Sequence, residues 1–368
     1  MAIRIPSTDL GEALAAVARA CGRQQANPSV LVELSQTSLS LTRATLETAA
    51  RRSIEVESSI VDAFTLPATP LYDLLQVVSG ADLELTLDGR DAVVRVGMFD
   101  TRLRMGSAAE FLMPAISEGT IRVRVDGRQL ADAAARVAFA RSSDEHQPQL
   151  VGIFLNAADG RITLAATDGH RAAEARSPAT VLSPLNGLIV PARPLTELSG
   201  ILHMDSAQFE LVAPDRLNWL RIQRGPDFVQ TQLIDGKYPN YAAVRPTNIA
   251  AEAELDKSSL ILAVRGCGVF SGESFRVSLA IEEGRLAIVG ESTELGSNRA
   301  SVVATVRPTT GSGRCALNGK YFLDALDACP GATIRIQFES PTAPLTIVPT
   351  MDKEFWAATN PIAPAVGS

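Results

Sequence analysis

Few residues of this chain could do chemistry, and the most suggestive ones lie in the run AATDGHRAA at 165–173. Asp168, His170 and nearby Ser177 supply the three side-chain types of a nucleophilic triad, which would indicate a hydrolase. However, Asp168 and His170 stand two residues apart around an Asp-Gly turn, and no GxSxG segment accompanies them. The spacing therefore argues against an enzyme, and the local pattern alone predicts a β-hairpin.

Other kinds of reactive site find no better support. The four cysteines form no CxxC pair, and the three histidines form no cluster with them, so we predict neither a metal site nor a cofactor. No GxxxxGK[ST] or GxGxxG segment indicates nucleotide binding. Scattered thiols, no secretion signal and no apolar run of about 18 residues predict a cytoplasmic protein.

The elements that must position any site recur three times. A strand, a Pro or Asn marker and a short amphipathic helix are found at 64–79, 188–202 and 315–329. The markers are Pro67, Pro191 and Asn318, separated by 191 − 67 = 124 and 318 − 191 = 127 residues. A period this long is the size of a domain rather than of a solenoid repeat. We therefore predict three copies of one domain, at 1–119, 120–247 and 248–368.

Each copy also has an amphipathic helix near its start. The apolar stripes that predict these helices are Leu10, Leu14 and Val17, then Leu130, Ala134 and Val137, then Leu260 and Val264. Asp9 with Glu12, Asp126 with Gln129, and Asp256 are the expected helix caps. For the second helix of the first copy, Thr69-Pro70 is the expected start.

The segments between the helices are typical of strands. They are short, rich in Val, Ile and Leu, and often separated by turns such as Asp88-Gly89. The predicted strands are 83–87, 92–96, 162–166, 209–212, 276–281, 334–338 and 345–348. Each copy is thus predicted to be an α+β domain, with two helices packed on antiparallel sheet.

Four blocks carry a resemblance to a known family. ATDGHR, IVPARPLTELSGIL, DGKYPNYAAVRP and NGKYFLDALDAC occur here in this order, and together they resemble the beta sliding clamp of bacterial DNA polymerase III. The first copy fits through LSLTRATLE, FTLPATPLYDLL and AAEF. The resemblance covers essentially the whole chain, is most specific in the second and third copies, and is poor over the last dozen residues.

The resemblance implies a non-enzymatic processivity factor. Family members are head-to-tail homodimers whose six domains form a ring around double-stranded DNA, with helices inside and sheets outside. They tether DNA polymerase, the clamp loader and repair proteins through short Leu/Phe peptides. A ring held on DNA by topology does not need a basic surface overall, so the net charge of −7 is compatible with a basic channel.

The resemblance also implies which residues act. The partner-peptide site between the second and third domains would comprise Leu150, Thr167, Gly169, His170, Arg171, Ala172, Pro239, Val244, Phe275, Asn318, Tyr321, Thr342, Pro344, Pro361 and Ile362. The DNA-facing residues would be Arg19, Arg23, Arg136, Arg141, Arg193, Arg265 and Lys320. The dimer interface would include Thr101, Leu103, Val269 and Phe270, with Phe270 expected to be exposed at a sheet edge.

The chain departs from the family at several of these positions. Family members commonly have a larger aliphatic residue where Ala172 stands and a basic residue where Ala243 stands. In the tail, 359–363 reads TNPIA, so only Pro361 and the aliphatic Ile362 match the family's usual ending. These departures motivate an alternative hypothesis, a divergent clamp-like binding module that keeps the peptide site but is not loaded on DNA.

Overall fold

The computed structural model describes residues 3–22, 28–78, 80–114, 117–202, 208–272, 275–307 and 313–362. The chain divides into two compact units. The first consists of Met1–Ala131, Ala157–Arg161 and Pro178–Ile234, and the second of Asp132–Asn156, Ile162–Ser177 and Asp235–Ser368. The three-domain division stays a prediction.

Along the described residues, most of the helices are separated by single strands or by runs of antiparallel strands. Up to residue 114 the elements are β1 (Ile3–Pro6), α1 (Ser7–Cys21), β2 (Ser29–Leu34), β3 (Ser38–Ala44), β4 (Thr48–Glu55), β5 (Asp62–Pro67), α2 (Ala68–Val77), β6 (Asp82–Asp88), β7 (Asp91–Val96), β8 (Phe99–Arg104), β9 (Gly106–Ser107) and a 3-10 turn (Ala108–Glu110).

The middle of the chain begins with another strand followed by a helix. Its elements are β10 (Thr120–Asp126), α3 (Gly127–Ala138), α4 (Pro148–Val151), β11 (Gly152–Ala158), β12 (Arg161–Thr167), β13 (Arg171–Val181), β14 (Leu185–Pro191), α5 (Ala192–Thr196), α6 (Leu198–Ile201), β15 (Gln208–Ala213), β16 (Trp219–Arg224), β17 (Asp227–Gln232) and a 3-10 turn (Tyr241–Val244).

The last part repeats the pattern a third time. Its elements are β18 (Ala251–Asp256), α7 (Lys257–Gly268), β19 (Arg276–Glu282), β20 (Arg285–Ser292), β21 (Gly296–Arg307), β22 (Arg314–Asn318), α8 (Gly319–Ala328), β23 (Thr333–Phe338), β24 (Leu345–Pro349) and β25 (Phe355–Thr359). The α+β class is confirmed, and all the predicted strands lie within observed ones.

The first unit contains two antiparallel sheets. One has the strand order β1-β6-β7-β8. The other runs β9-β5-β2-β3-β4-β17-β16-β15-β10 and ends on the last residues of β13. In this second sheet β4 pairs with β17, although about 180 residues separate them in the chain, with Thr48 opposite Thr231. Backbone hydrogen bonds thus join distant segments into one sheet.

Among the described residues of the second unit, two sets of paired strands contain the elements of the site. The first runs β13-β25-β24-β23-β18-β21, where β13 contributes residues 171–175 and β21 residues 304–307. The other runs β22-β19-β20-β21. The β13–β25 pairing places Arg171 opposite Thr359 and Ala172 opposite Ala358. It brings the ATDGHR hairpin beside the last strand of the chain.

The helices pack through the predicted apolar stripes. The stripe residues of α1, α3 and α7 are all buried, with at most 4% of each residue exposed. Burial of such a stripe against a sheet provides most of the stability of a short helix in a protein. The described residues contain no helix that is both long enough and apolar enough to cross a membrane.

Helix starts follow the repeat more closely than the predicted caps. The markers Pro67, Pro191 and Asn318 are the residues immediately before α2, α5 and α8. Asp126 and Asp256 accept hydrogen bonds from Gln129 N (2.9 Å) and Ser259 N (2.7 Å), as expected of caps.

Two predicted caps in the first copy are wrong. The helix α1 begins at Ser7 after Pro6, which places Asp9 inside the first turn. Similarly, α2 begins at Ala68 after Pro67, ahead of the expected Thr69. In both cases the proline holds the extended backbone that precedes a helix, and no side chain caps the first turn.

Candidate partner-peptide site

The centre of the site is the turn between β12 and β13. The Asp168 Oδ1 atom accepts hydrogen bonds from His170 N (2.9 Å) and Arg171 N (3.0 Å), and Thr167 Oγ1 donates to Arg171 O (2.7 Å). Gly169 occupies the left-handed region with a φ of 88°, which is the reason for a glycine here. Asp168 therefore orders the backbone of the turn, in keeping with a hairpin rather than a triad.

Arg171 joins this turn to helix α8. Its Nε donates to Asp168 Oδ2 (2.9 Å) and its Nη1 to Asp324 Oδ2 (2.5 Å), and 12% of its side chain is exposed. The guanidinium lies 4.3 Å from the centroid of the Tyr321 ring and 5.5 Å from that of Phe139. Two carboxylates and two rings thus hold Arg171 in one orientation.

His170 and the chain end complete this side of the site. The exposed His170 ring is stacked on Tyr321 with a centroid distance of 6.4 Å. Asn360 N donates to His170 O (2.8 Å), and Asn360 Nδ2 donates to Gly169 O (3.1 Å). Ile362 N donates to Ala316 O (2.7 Å) on β22. Although it diverges in sequence, this part of the tail is therefore held at the predicted site by two backbone N–H groups and by the Asn360 side chain.

An apolar and aromatic cluster lies next to this group. Ala172, Ala358 and Trp356 are buried together, and Tyr241 and Val244 pack against them. The Tyr241 and Trp356 rings are stacked at 6.2 Å with an interplanar angle of 20°. Burial raises the pKa of the Tyr241 phenol, so the hydroxyl remains a hydrogen-bond donor.

Asn318 and Phe275 have structural tasks at the start of α8. The Asn318 Oδ1 atom caps the helix by accepting from Lys320 N (2.9 Å), and Phe275 O accepts from Gly319 N (2.7 Å). The Phe275 ring lies directly against the α-carbons of Gly268 and Gly319. Phe275 has a φ of 44°, a strained value for a residue with a side chain.

The remaining predicted members lie at the ends of elements of the same unit. Leu150 is buried on α4, Pro239 and Thr342 are exposed, and Pro344 and Pro361 are half-buried. In the described part of the chain, no hydrogen bond or ring contact joins Leu150, Pro239, Thr342 or Pro344 to His170 or Tyr321. The contacts therefore connect part of the predicted set directly, and the role of the whole set stays a prediction.

Several residues of this region were not among the predicted members of the partner-peptide site. They are Asp168 and Asp324, which hold Arg171, Asn360, which holds the turn, and Glu174, Tyr241 and Trp356 of the aromatic cluster. Tyr241 stands in the block DGKYPNYAAVRP, so the family resemblance could have identified it as a site residue. Glu174 and Trp356 meet only through strand register.

The predicted DNA-facing residues fall into two groups. Three of them pair with acids: Arg19 with Glu197 (2.9 Å), Arg136 with Asp352 (3.3 Å) and Arg265 with Asp327 (3.7 Å). Arg141, Arg193 and Lys320 are exposed, and among the described residues none of them forms an ion pair. Arg23 lies outside the described residues.

The predicted dimer residues lie in two different settings. Thr101 is half-buried and Leu103 is buried on β8, the edge strand of its sheet. Val269 is 69% exposed. The expectation for Phe270 is wrong, because this residue is half-buried in the turn that ends α7, where its N donates to Cys267 O (3.1 Å), and does not lie on a strand.

Solved structures with the same fold are sliding clamps. A Pseudomonas aeruginosa DNA polymerase III beta subunit bound to griselimycin aligns with a TM-score of 0.89 at 22% identity, over 99% of this chain and 100% of that one. The Thermotoga maritima beta subunit gives 0.87 at 20% over the same shares. A Caulobacter crescentus clamp, with polyethylene glycol at a putative beta-motif tethering region, gives 0.85 at 24%, covering 99% of each chain. The chain thus has the sliding-clamp fold.

Family models identify the relationship from the sequence. Those for the central and C-terminal domains of the DNA polymerase III beta subunit match residues 124–240 and 242–363. The chain belongs to the DNA polymerase III beta subunit family. The beta sliding clamp of Synechococcus elongatus is 27% identical over 320 residues, and that of Escherichia coli is 25% identical over 311, each alignment covering 84% of both chains. These relatives favour a processivity clamp over the divergent module.

Proposed function

We propose that this protein is a DNA polymerase processivity factor, a ring-shaped sliding clamp that encircles double-stranded DNA and tethers polymerase and repair proteins by short peptides. The observation that carries the proposal is the contact network of His170, Arg171 and Tyr321. It joins two of the four sequence blocks, ATDGHR and NGKYFLDALDAC, in one place beside the apolar surface of Val244. A hydrogen-bonding rim beside an apolar anchor site suits a short peptide with Leu and Phe side chains.

The proposed role needs no catalysis. The Asp168 side chain bonds Arg171 and the backbone of the turn, and His170 stacks on a phenol ring. These contacts tie up the side chains of Asp168 and His170 within the site, which supports a binding role for the ATDGHR run over a catalytic one. Because its partners act on chromosomal DNA, we place the protein in the cytoplasm.

Contact with DNA would be independent of sequence. Exposed Arg141, Arg193 and Lys320 carry charges that could reach phosphates directly, whereas Arg19, Arg136 and Arg265 would first exchange an acidic partner. Surface ion pairs contribute little energy, so such an exchange would cost little. A ring that stays on DNA by topology does not need tighter binding to the phosphates.

We infer the arrangement of the subunit interface from two strand pairings within the chain. In each of the β4–β17 and β13–β25 pairings, the first strand begins just after a hairpin turn, at Thr48 and Arg171, and the residues opposite are Thr231 and Thr359. The third strand of this kind, β21, begins at Gly296 after the turn from β20. Its residues 296–303 pair only with β20 in the described part of the chain, so one side is available.

The same comparison indicates which strand of a second copy would pair with β21. Both β17 and β8 follow a two-residue turn, which makes Asp227 equivalent to Phe99 and Thr231 equivalent to Leu103. Transferring the register places Gly296 opposite Leu103 of a second copy, Asn298 opposite Thr101 and Arg299 opposite Asp100. This head-to-tail contact would use the predicted residues Thr101 and Leu103. Val269 would lie nearby, since Asn298 Nδ2 donates to Gly266 O (3.1 Å) on α7.

The peptide site is tested by titration with a fluorescein-labelled Gln-Leu-x-Leu-Phe peptide. We expect saturable binding, and none to a control peptide with Ala at the Leu and Phe positions. Equal binding of both peptides would contradict the proposed site.

Clamp loading is tested separately on nicked circular DNA. We expect the protein to be retained on the circle and to be released when the circle is linearised. Equal escape from circles and linear DNA would contradict encirclement.

A further inference from the structure

A buried carboxylate lies beneath the apolar part of the proposed site. Glu174 on β13 is 4% exposed and stands opposite Trp356 in the β13–β25 pairing. Burying a carboxylate is unfavourable unless hydrogen bonds and charge compensate for lost hydration. Its neighbours along the same sheet face, Ala172 and Ala358, are apolar and small. A glutamate at this position therefore needs a reason beyond strand formation.

The contacts of the carboxylate supply that reason. Trp356 Nε1 donates to Glu174 Oε1 at 2.9 Å, and Tyr241 Oη donates to Glu174 Oε2 at 2.8 Å. Arg176 Nη2 lies 2.7 Å from Oε1 and balances the charge. Each oxygen thus accepts from one aromatic side chain, and hydrogen bonds to an ionised acceptor are stronger than neutral ones.

These hydrogen bonds fix the position of the Tyr241 and Trp356 rings, which lie beside the apolar surface of Val244. Tyr241 and Trp356 stack, and the Arg245 guanidinium lies 5.3 Å from the Trp356 ring centroid. Tyr241 begins the 3-10 turn that ends at Val244, and both residues are half-buried, so a peptide can reach them. The pair is notable in a chain that has only two tryptophans and four tyrosines.

We propose that Glu174 is a positioning residue of the partner-peptide site, holding Tyr241 and Trp356 so that the Tyr241–Val244 turn forms a fixed wall for the apolar anchor of the peptide. This inference rests on the proposed function. It also accounts for how the site keeps a defined shape with alanine at 172 and 358. The stacked pair supplies the packing that larger side chains on the strands would otherwise give.

The test replaces the carboxylate with a side chain of similar length that cannot accept either hydrogen bond. Glu174→Met leaves Trp356 Nε1 and Tyr241 Oη without their acceptor, and we expect about tenfold weaker binding of the Gln-Leu-x-Leu-Phe peptide. Glu174→Gln should bind nearly as well as wild type, because its amide can accept from Trp356 and donate to Tyr241. The matched control is Glu252→Met, which removes another buried carboxylate from the same sheet, one that Gln337 bonds at 2.8 Å.

A double-mutant cycle separates positioning from general loss of stability. The anchor Leu of the peptide is replaced by Ala, and the resulting loss of affinity is compared between wild type and Glu174→Met. We expect a smaller loss of affinity in Glu174→Met, because the Tyr241–Val244 turn no longer fits the Leu side chain of the peptide.

Fluorescence gives a second readout. In a Trp219→Phe background Trp356 is the sole tryptophan. We expect its emission to change on peptide binding when residue 174 is Glu, and to change much less when it is Met.

The outcomes distinguish the two proposals. No binding by wild type would overturn the proposed peptide site and this inference with it. Two results would overturn this inference alone. One is wild-type peptide affinity in Glu174→Met. The other is an equal loss of affinity in Glu174→Met and Glu252→Met, together with an unchanged effect of the Leu-to-Ala change in the peptide. If Glu174→Met fails to fold, Tyr241→Phe removes just one of the two donors. It should weaken binding about threefold, and no change in affinity or anchor effect would again overturn the inference.

Discussion

At the start of α7 the exposed Asp256 carboxylate has a lowered pKa. It accepts hydrogen bonds from Ser258 Oγ (2.6 Å) and Ser259 N (2.7 Å). These bonds favour the ionised form and lower the pKa from 3.8 to about 2. The bonds to Ser258 and Ser259 are made in the folded chain, so the cap links helix stability to pH.

This linkage predicts the pH dependence of one variant. Because the folded-state pKa is the lower one, the stabilisation is complete above about pH 4 and is lost as the pH falls through about 2. Asp256→Asn keeps a capping oxygen but cannot titrate. We therefore expect the thermal midpoint of wild type to fall relative to that of Asp256→Asn between pH 4 and pH 2. A constant difference would contradict the assignment, and an NMR titration of Asp256 measures the pKa directly.

Single residues also show what the sequence could predict. Arg171 and Tyr321 stand in distinctive sequence blocks, so the family resemblance identified both. In the structure the Arg171 guanidinium carbon lies 4.3 Å from the centroid of the Tyr321 ring. Glu174 and Trp356 stand 182 residues apart and meet only because β13 pairs with β25 in a particular register. Local patterns do not specify pairing between distant strands, so this part of the site could not be predicted.

At the scale of elements, two glycines allow the helices α7 and α8 to approach Phe275. A β-carbon at Gly268 or Gly319 would overlap the Phe275 ring. The tight contact is combined with the strained φ of Phe275, so the ring has little room to move away. Packing of the two helix ends therefore depends on the absence of two side chains.

A matched pair of substitutions in α7 tests this dependence. Gly268→Ala should destabilise the protein by about 1–3 kcal/mol through overpacking, and should weaken peptide binding if Phe275 belongs to the site. Gly266→Ala lies in the same helix, and outside that helix's own backbone and the neighbouring residues the nearest atom to its new methyl group, Asn298 Nδ2, is 3.9 Å away. It should be neutral or stabilise by up to about 1 kcal/mol through helix propensity. Chemical denaturation measures both, and equal effects would contradict the packing account.

Helix boundaries show the limits of local signals at this scale. The markers Pro67, Pro191 and Asn318 precede their helices as the repeat predicted. The Asp9–Glu12 capping pattern failed because Pro6 already supplies the extended residue before α1. A side-chain cap and a proline are alternative ways to begin a helix, and the sequence pattern alone did not rank them.

For the whole molecule, the proposed β8–β21 contact makes a specific prediction about assembly. Its register places Arg299 opposite Asp100 of the partner, so Asp100→Lys would set two like charges face to face. We expect the dimer dissociation constant to rise about tenfold. The double variant Asp100→Lys, Arg299→Glu should restore it. Sedimentation equilibrium measures both.

The control for this experiment lies on the same sheet. Glu84→Lys also reverses a partly exposed, ion-paired carboxylate, but Glu84 stands opposite Arg4 of β1 on one side and opposite Arg95 of β7 on the other. It should leave the dimer unchanged. If Glu84→Lys and Asp100→Lys act equally, or if the double variant fails to recover, the register derived from the internal repeat is incorrect.

The β4–β17 and β13–β25 pairings have a consequence for mutational drift. Their hydrogen bonds use backbone N–H and C=O groups, which every residue other than proline provides in full. Substitutions along these strands can therefore accumulate while the architecture persists, provided that no proline or insertion interrupts the ladder. This explains how chains with 20–24% identity keep TM-scores of 0.85–0.89. In such a protein, the strand architecture persists even where most of the amino acids that form it differ.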